Sequence, residues 1–121
     1  MKKLLILIFM LGMISFGESV SQTVARIRKD YNETNNYKNY RVETEEFDMS
    51  EGAVEKKYYR NGDLRKVVTS GGDGRVAETM EYYIKNGQTY FKYFVRKIYY
   101  NGVSREDERY YYDEDGELLD A

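Results

Sequence analysis

The chain has 121 residues, 41% of them apolar and 33% charged, with a net charge of −2. That fits one domain with a real core, and 16% aromatics is too many for a disordered chain. Cysteine and histidine are both absent, which excludes disulfides, thiol nucleophiles, Cys/His zinc sites and every histidine-based general base or triad.

The chain opens on Met1-Lys2-Lys3, then an apolar run from Leu4 to Ile14, then Ser15-Phe16-Gly17. Two lysines, about eleven apolar or small residues and small residues at −3 and −1 form a secretory signal peptide. Cleavage is expected after Gly17, with Ser19 as the alternative. The run is shorter than the roughly 20 residues of a transmembrane helix, and no cysteine follows it to carry a lipid. The short n-region resembles bacterial leaders. The expected location is therefore periplasmic or secreted, with no stable membrane insertion after cleavage; an uncleaved anchor is the rival reading. Residues 18–121 form the domain. They carry 17 basic and 21 acidic residues, a net −4, with the signs interspersed. No basic stripe exists to track a phosphate backbone, so nucleic acid is not an expected partner.

Ser19-Val20-Ser21-Gln22 has the spacing of a capping box. Val20, Val24, Ile27 and Tyr31 follow at helical intervals and predict one apolar stripe on a helix over about 20–35, stopped at Asn35-Asn36. From Tyr40 the period becomes two, and Tyr40 to Phe47 predicts a first, charged edge strand. Paired tyrosines then recur before Asn-Gly or Asp-Gly: Tyr58-Tyr59-Arg60-Asn61-Gly62, Tyr82-Tyr83-Ile84-Lys85-Asn86-Gly87, Tyr99-Tyr100-Asn101-Gly102 and Tyr111-Tyr112-Asp113-Glu114-Asp115-Gly116. Tyrosine favours strands and these dipeptides supply the positive φ of tight hairpins. Strands are expected near 54–60, 63–69, 76–84, 88–99, 105–113 and 117–120, with Gly71 to Gly74 a mobile loop. The fold class is α+β, mostly β: one N-terminal helix packed on an antiparallel meander of six to seven strands.

The units at Tyr58–Gly62, Tyr82–Gly87 and Tyr112–Leu118 resemble MORN-type repeats of YwqK-like bacterial proteins. That resemblance implies stacked hairpins that present aromatic surfaces and mediate interactions. The whole layout is also similar to small exported bacterial proteins with an N-terminal helix and a tyrosine-rich meander, a likeness that implies no activity.

A helix of about 24 Å by 10 Å cannot cover a sheet roughly 30 Å across. Either aromatics line a face exposed to water or the sheet curls toward a barrel. In the longest strand, Tyr90, Lys92, Phe94, Arg96 and Ile98 share one face; Phe91, Tyr93, Val95, Lys97 and Tyr99 share the other, which is assigned to the helix. The expected function is a non-catalytic interaction module for a protein or carbohydrate partner in the cell envelope. Its binding residues would be Tyr82, Tyr90, Phe94 and Tyr111 on an aromatic sheet face. Two alternatives stand beside it. A carboxylate hydrolase of envelope polymers would use Glu106 and Glu108, which share a face at spacing two, in the company of Glu78 and Glu81. Their plain reading is charge pairing with Arg105, Arg109, Lys92 and Lys97. A structural subunit would assemble through strand edges. Asp113 to Glu117 alternates oxygen ligands before a glycine but lacks the length of a calcium loop and reads as an acidic turn. No metal and no cofactor are expected.

Overall fold

The computed structural model describes residues 19–47 and 53–120; the expected signal segment, residues 1–17, lies outside them. Helix α1 spans Val20–Asn36. Seven strands follow: β1 Arg41–Glu46, β2 Val54–Arg60, β3 Asp63–Gly72, β4 Val76–Lys85, β5 Gln88–Ile98, β6 Ser104–Tyr112 and β7 Leu118–Asp120. They form one open antiparallel sheet in the order β1-β2-β3-β4-β5-β6-β7. Among the described residues no helix is long and apolar enough to cross a membrane.

The capping box forms as the spacing required. Ser19 Oγ accepts from Gln22 N–H at 3.1 Å and Gln22 Oε1 accepts from Ser19 N–H at 3.0 Å, an arrangement worth about 1 kcal/mol. The buried stripe differs from the expected one by one turn. Val20 is exposed, while Thr23, Ile27 and Thr34 are buried, with Val24 and Tyr31 packed on the core. The helix also ends without a left-handed asparagine. Its cap is Tyr37 in extended backbone, whose N–H donates to the Glu33 carbonyl.

Three hairpins, β2–β3, β4–β5 and β6–β7, turn at the same end of the sheet. Asn61-Gly62 and Asn86-Gly87 have positive φ at both positions, as a two-residue type I′ turn needs. The third turn runs Asp113 to Glu117, with Asp113 Oδ1 accepting from the Asp115 and Glu117 N–H groups. Three residues past each turn glycine the register shifts, so that Arg65, Tyr90 and Leu119 are each the extra residue of a bulge. The fourth tyrosine pair behaves differently. Tyr99 and Tyr100 fall in the β5–β6 connection at the far end, 48% and 66% exposed.

The helix lies across these three turns. Arg26 pairs with Glu114 at 2.8 Å, Asp30 with Lys85 at 3.3 Å and Glu33 with Arg60 at 3.6 Å. One helical face thus reaches every hairpin, and the helix axis must run across the strands. Under it lies a single cross-strand row, Tyr58, Lys66, Tyr83, Phe91 and Tyr111, which continues on β1 to the exposed Val42. Tyr83, Phe91 and Tyr111 pack with Ile27 as the core, and Tyr31 stacks 4.7 Å from Tyr83 and 5.3 Å from Phe91. Burying each such ring contributes about 1.5–3 kcal/mol.

The expected mobile loop is partly strand. β3 runs through Gly71, paired with Glu78, and Gly72, paired with Ala77. Asp73 closes the turn by accepting from the Arg75 and Val76 N–H groups. Gly72 has φ 151°, and a Cβ there would sit 2.1 Å from the Val76 carbonyl oxygen and 2.8 Å from Ala77 Cα, all rigid backbone; at Gly71 the nearest atoms are 3.5 Å away. Gly72→Ala should therefore cost about 2–3 kcal/mol, while Gly71→Ala stays within about 1 kcal/mol. Urea unfolding of both variants, with equal midpoints as the contrary result, checks this.

Candidate functional site

The face of the sheet away from α1 has no element packed on it among the described residues. Its middle row reads Glu43, Lys57, Val67, Tyr82, Lys92 and Tyr110; the next reads Glu45, Glu55, Thr69, Met80, Phe94 and Glu108. Tyr82, Met80, Phe94 and Tyr110 are therefore direct or diagonal neighbours, close enough to form one apolar stripe with Val67. Phe94, Met80, Thr69 and Gly71 also floor a cleft of about 590 Å³ walled by Phe47 and Val76.

The four residues expected on one aromatic face divide between two. Tyr82 and Phe94 lie on the uncovered face. Tyr111 is 6% exposed beneath α1, because alternation within β6 sends Tyr110 and Tyr112 to the uncovered face and Tyr111 to the helix. Tyr90 breaks the alternation expected for β5. As the bulge residue it turns to the same side as Phe91, packs on Tyr83 and shares a 3.3 Å hydroxyl hydrogen bond with Thr34. The remainder of the β5 assignment stands, with Phe91 and Tyr93 on the helix side.

The rings of the uncovered face are half-buried, because cationic side chains lie over them. Lys92 Nζ is 5.4 Å from the ring centres of both Tyr82 and Tyr112, Arg96 lies 5.3 Å from Phe94, and Arg41 lies 4.4 Å from Tyr59. The long stems supply apolar cover while their heads stay wet. Sequence reasoning missed Met80, Thr69 and Phe47 as cleft residues. Met80 meets Phe94 only through the β4–β5 register, which the bulge at Tyr90 sets.

The carboxylates are held by charge and hydroxyl partners. Arg96 bridges Glu78 at 3.1 Å and Glu106 at 3.7 Å, and Glu108 accepts from the Tyr110 hydroxyl. The expected partners Arg105 and Arg109 lie on the opposite face, around Tyr93 and Asp107. Glu81 sits on the helix side in a polar cluster that no local spacing announces. Tyr83 donates to Glu81, Asn35 Nδ2 donates to Tyr83 Oη at 3.2 Å, and Lys66 Nζ donates to Asn35 Oδ1 at 2.8 Å while lying 3.8 Å from Glu81. Burial lowers the Lys66 pKa and raises that of Tyr83, so this cluster keeps the phenol protonated as a donor. Its geometry clamps the end of α1 to the sheet. No group of three or more potential metal-ligating side chains occurs among the described residues.

No protein-family model, curated protein or solved structure matches the chain.

Burial is the main cause that pushes the Tyr90 hydroxyl up to about 12 from its ordinary 10.0. A raised folded-state value means the unfolded chain releases its proton first. The stabilisation is complete below pH 10 and falls between pH 10 and 12, at up to about 1.4 kcal/mol per pH unit. Tyr90→Phe removes this slope together with the Thr34 hydrogen bond, worth about 1 kcal/mol. The variant should be less stable than the parent at pH 8, and the gap should close at about pH 11 and reverse above it. Urea midpoints across that range measure it, and parallel curves would contradict it.

Proposed function

We propose that the protein is an exported, non-catalytic interaction module whose contact surface is the uncovered sheet face, centred on Tyr82 and Phe94. The observation that carries the reading is the contiguous stripe Val67, Tyr82, Met80, Phe94 and Tyr110 with a cleft at its end and no covering element among the described residues. Apolar patches rimmed by charge mark contact sites on small proteins, and tyrosine is favoured in them because it joins apolar area to a hydroxyl. The leader-like first 17 residues place the encounter in the periplasm or outside the cell. The three hairpins, bulged at the same position, fit the stacked-hairpin surface that the MORN resemblance implies.

The hydrolase reading finds less support in the geometry. Two-carboxylate hydrolysis needs a desolvated acid across a cleft from its partner. Glu106 is 62% exposed and tied to Arg96, and Glu108 stands two residues along the same flat strand.

A photo-crosslinking residue placed at Tyr82 or Phe94 in the producing cell should capture a discrete partner, whereas the same residue at Tyr100, on the far connection, should not. Affinity for the captured partner should fall at least tenfold in Tyr82→Ala/Phe94→Ala, about 1.4 kcal/mol or more. Unchanged affinity in that variant, or adducts at Tyr100 alone, would sink the reading.

A further inference from the structure

The outer edge of β6 is open along most of its length. β6 runs Ser104–Tyr112, but β7 pairs only with Tyr111 and Tyr112. From Ser104 to Tyr110 no described strand lies on the outer side, so about half of the N–H and C=O groups there face away from the sheet. Helix α1 and the β6–β7 turn sit at the other end of the strand; the helix reaches only Arg109, which lines a cleft with Arg28 and Asn32, and Ser104 to Glu108 stay exposed. An edge of this kind is a template for strand addition, in which main-chain hydrogen bonds supply affinity and facing side chains supply selectivity.

The side chains decide what can add. Arg105, Glu106, Asp107, Glu108 and Arg109 are five consecutive charges, all exposed. In a two-fold antiparallel pairing of β6 with β6 of a second copy, facing residues share a sheet face, so one residue must face itself. For any centre from Arg105 to Arg109 that residue is charged, and like charges directly opposite are destabilising. Centres beyond that stretch pair almost none of the open edge. Pairing β6 with the other sheet edge, β1, is no better. Every antiparallel register that overlaps β1 with the open stretch Ser104–Tyr110 by five or more residues sets Glu43 against Glu106 or Glu108. Centres at Glu106 and Glu108 also set Asp107 opposite Arg105 or Arg109, but no centre avoids a like-charge pair at the two-fold, so the edge disfavours a second copy.

It does not refuse every strand. The charges are only loosely neutralised within the chain, with Glu106 3.7 Å from Arg96 and Asp107 3.6 Å from Arg109. A facing strand reading acid, base, base, base, acid would meet an opposite charge at each of the five positions, and the order is the same in either direction. We propose that the outer edge of β6 is a strand-addition site for an extended basic segment of another protein, with cations facing Glu106, Asp107 and Glu108 and acids facing Arg105 and Arg109. The proposal rests on the interaction-module reading and names the chemistry of the partner beside its aromatic stripe.

The probe is a blocked peptide of sequence Thr-Glu-Lys-Lys-Lys-Glu-Thr, titrated into isotope-labelled protein and followed by amide NMR shifts. Three controls accompany it: the charge-swapped Thr-Lys-Glu-Glu-Glu-Lys-Thr, the probe N-methylated at alternate residues so that it cannot complete a ladder, and the Glu106→Lys/Glu108→Lys protein. Saturable shifts confined to β6 and its neighbours are expected, with at least tenfold weaker binding in each control. Equal binding of the N-methylated peptide overturns strand addition, equal binding of the charge-swapped peptide overturns the charge code, and no saturation with any peptide overturns both. Met80→Ala/Tyr82→Ala, both on β4 and two strands away from β6, should bind the probe within about threefold of the parent. Loss there, with Glu106→Lys/Glu108→Lys unaffected, overturns the edge site and leaves the face reading intact. Sedimentation should show no dimer that the Glu106→Lys/Glu108→Lys change abolishes; such a dimer would overturn the exclusion of a second copy.

Discussion

One helix laid across three hairpin turns organises this domain. Arg26, Asp30 and Glu33 fall on one helical face, and each reaches a different turn through Glu114, Lys85 or Arg60. Exposed ion pairs of this kind contribute little energy singly. Their value here is orientation, because together they hold the helix across the strands rather than along them. The energy comes from beneath, where Ile27 meets Tyr83, Phe91 and Tyr111.

That arrangement explains why so much of the sheet remains uncovered. The helix is about 25 Å long, close to the width of the seven strands, but only about 10 Å wide. It therefore reaches from the β6–β7 turn to the β2–β3 turn, protects mainly one row of side chains and leaves Val42 of β1 exposed. The shortfall lies mainly along the strands. The far rows of the helix side and the whole opposite face are left to cationic stems lying on aromatic rings, as at Lys92 between Tyr82 and Tyr112. A surface built in this way joins apolar area to wetted charge, the combination on which the proposed contact reading rests.

The bulges carry the second organising role. Each extra residue, Arg65, Tyr90 or Leu119, follows its turn glycine at the same spacing. The bulge thus recurs at one position in all three hairpins, although two turn through Asn-Gly and the third through the longer Glu114-Asp115-Gly116. A bulge tightens the local twist and redirects a side chain. At Tyr90 it turns a residue of the uncovered face into a partner of Thr34.

Local chemistry in the sequence determined the elements. Ser19 and Gln22 placed the helix start, Asn61-Gly62 and Asn86-Gly87 placed two turns, and alternation assigned most of β5 to its two faces, because each of these signals acts within a few residues. It also foretold an antiparallel meander, since consecutive tight hairpins allow little else. Tertiary structure alone decided which aromatics are core and which are surface. Tyr111 and Tyr110 differ by one position in strand phase, and Tyr90 was redirected by a bulge that depends on pairing with Tyr83 and Ile84. The Asn35, Lys66, Glu81 and Tyr83 cluster was equally hidden, because it joins a helix end to two strands that meet only when the chain folds. The helix direction was hidden for the same reason: its ion-pair partners are spread from Arg60 to Glu114, and no window of sequence holds them together.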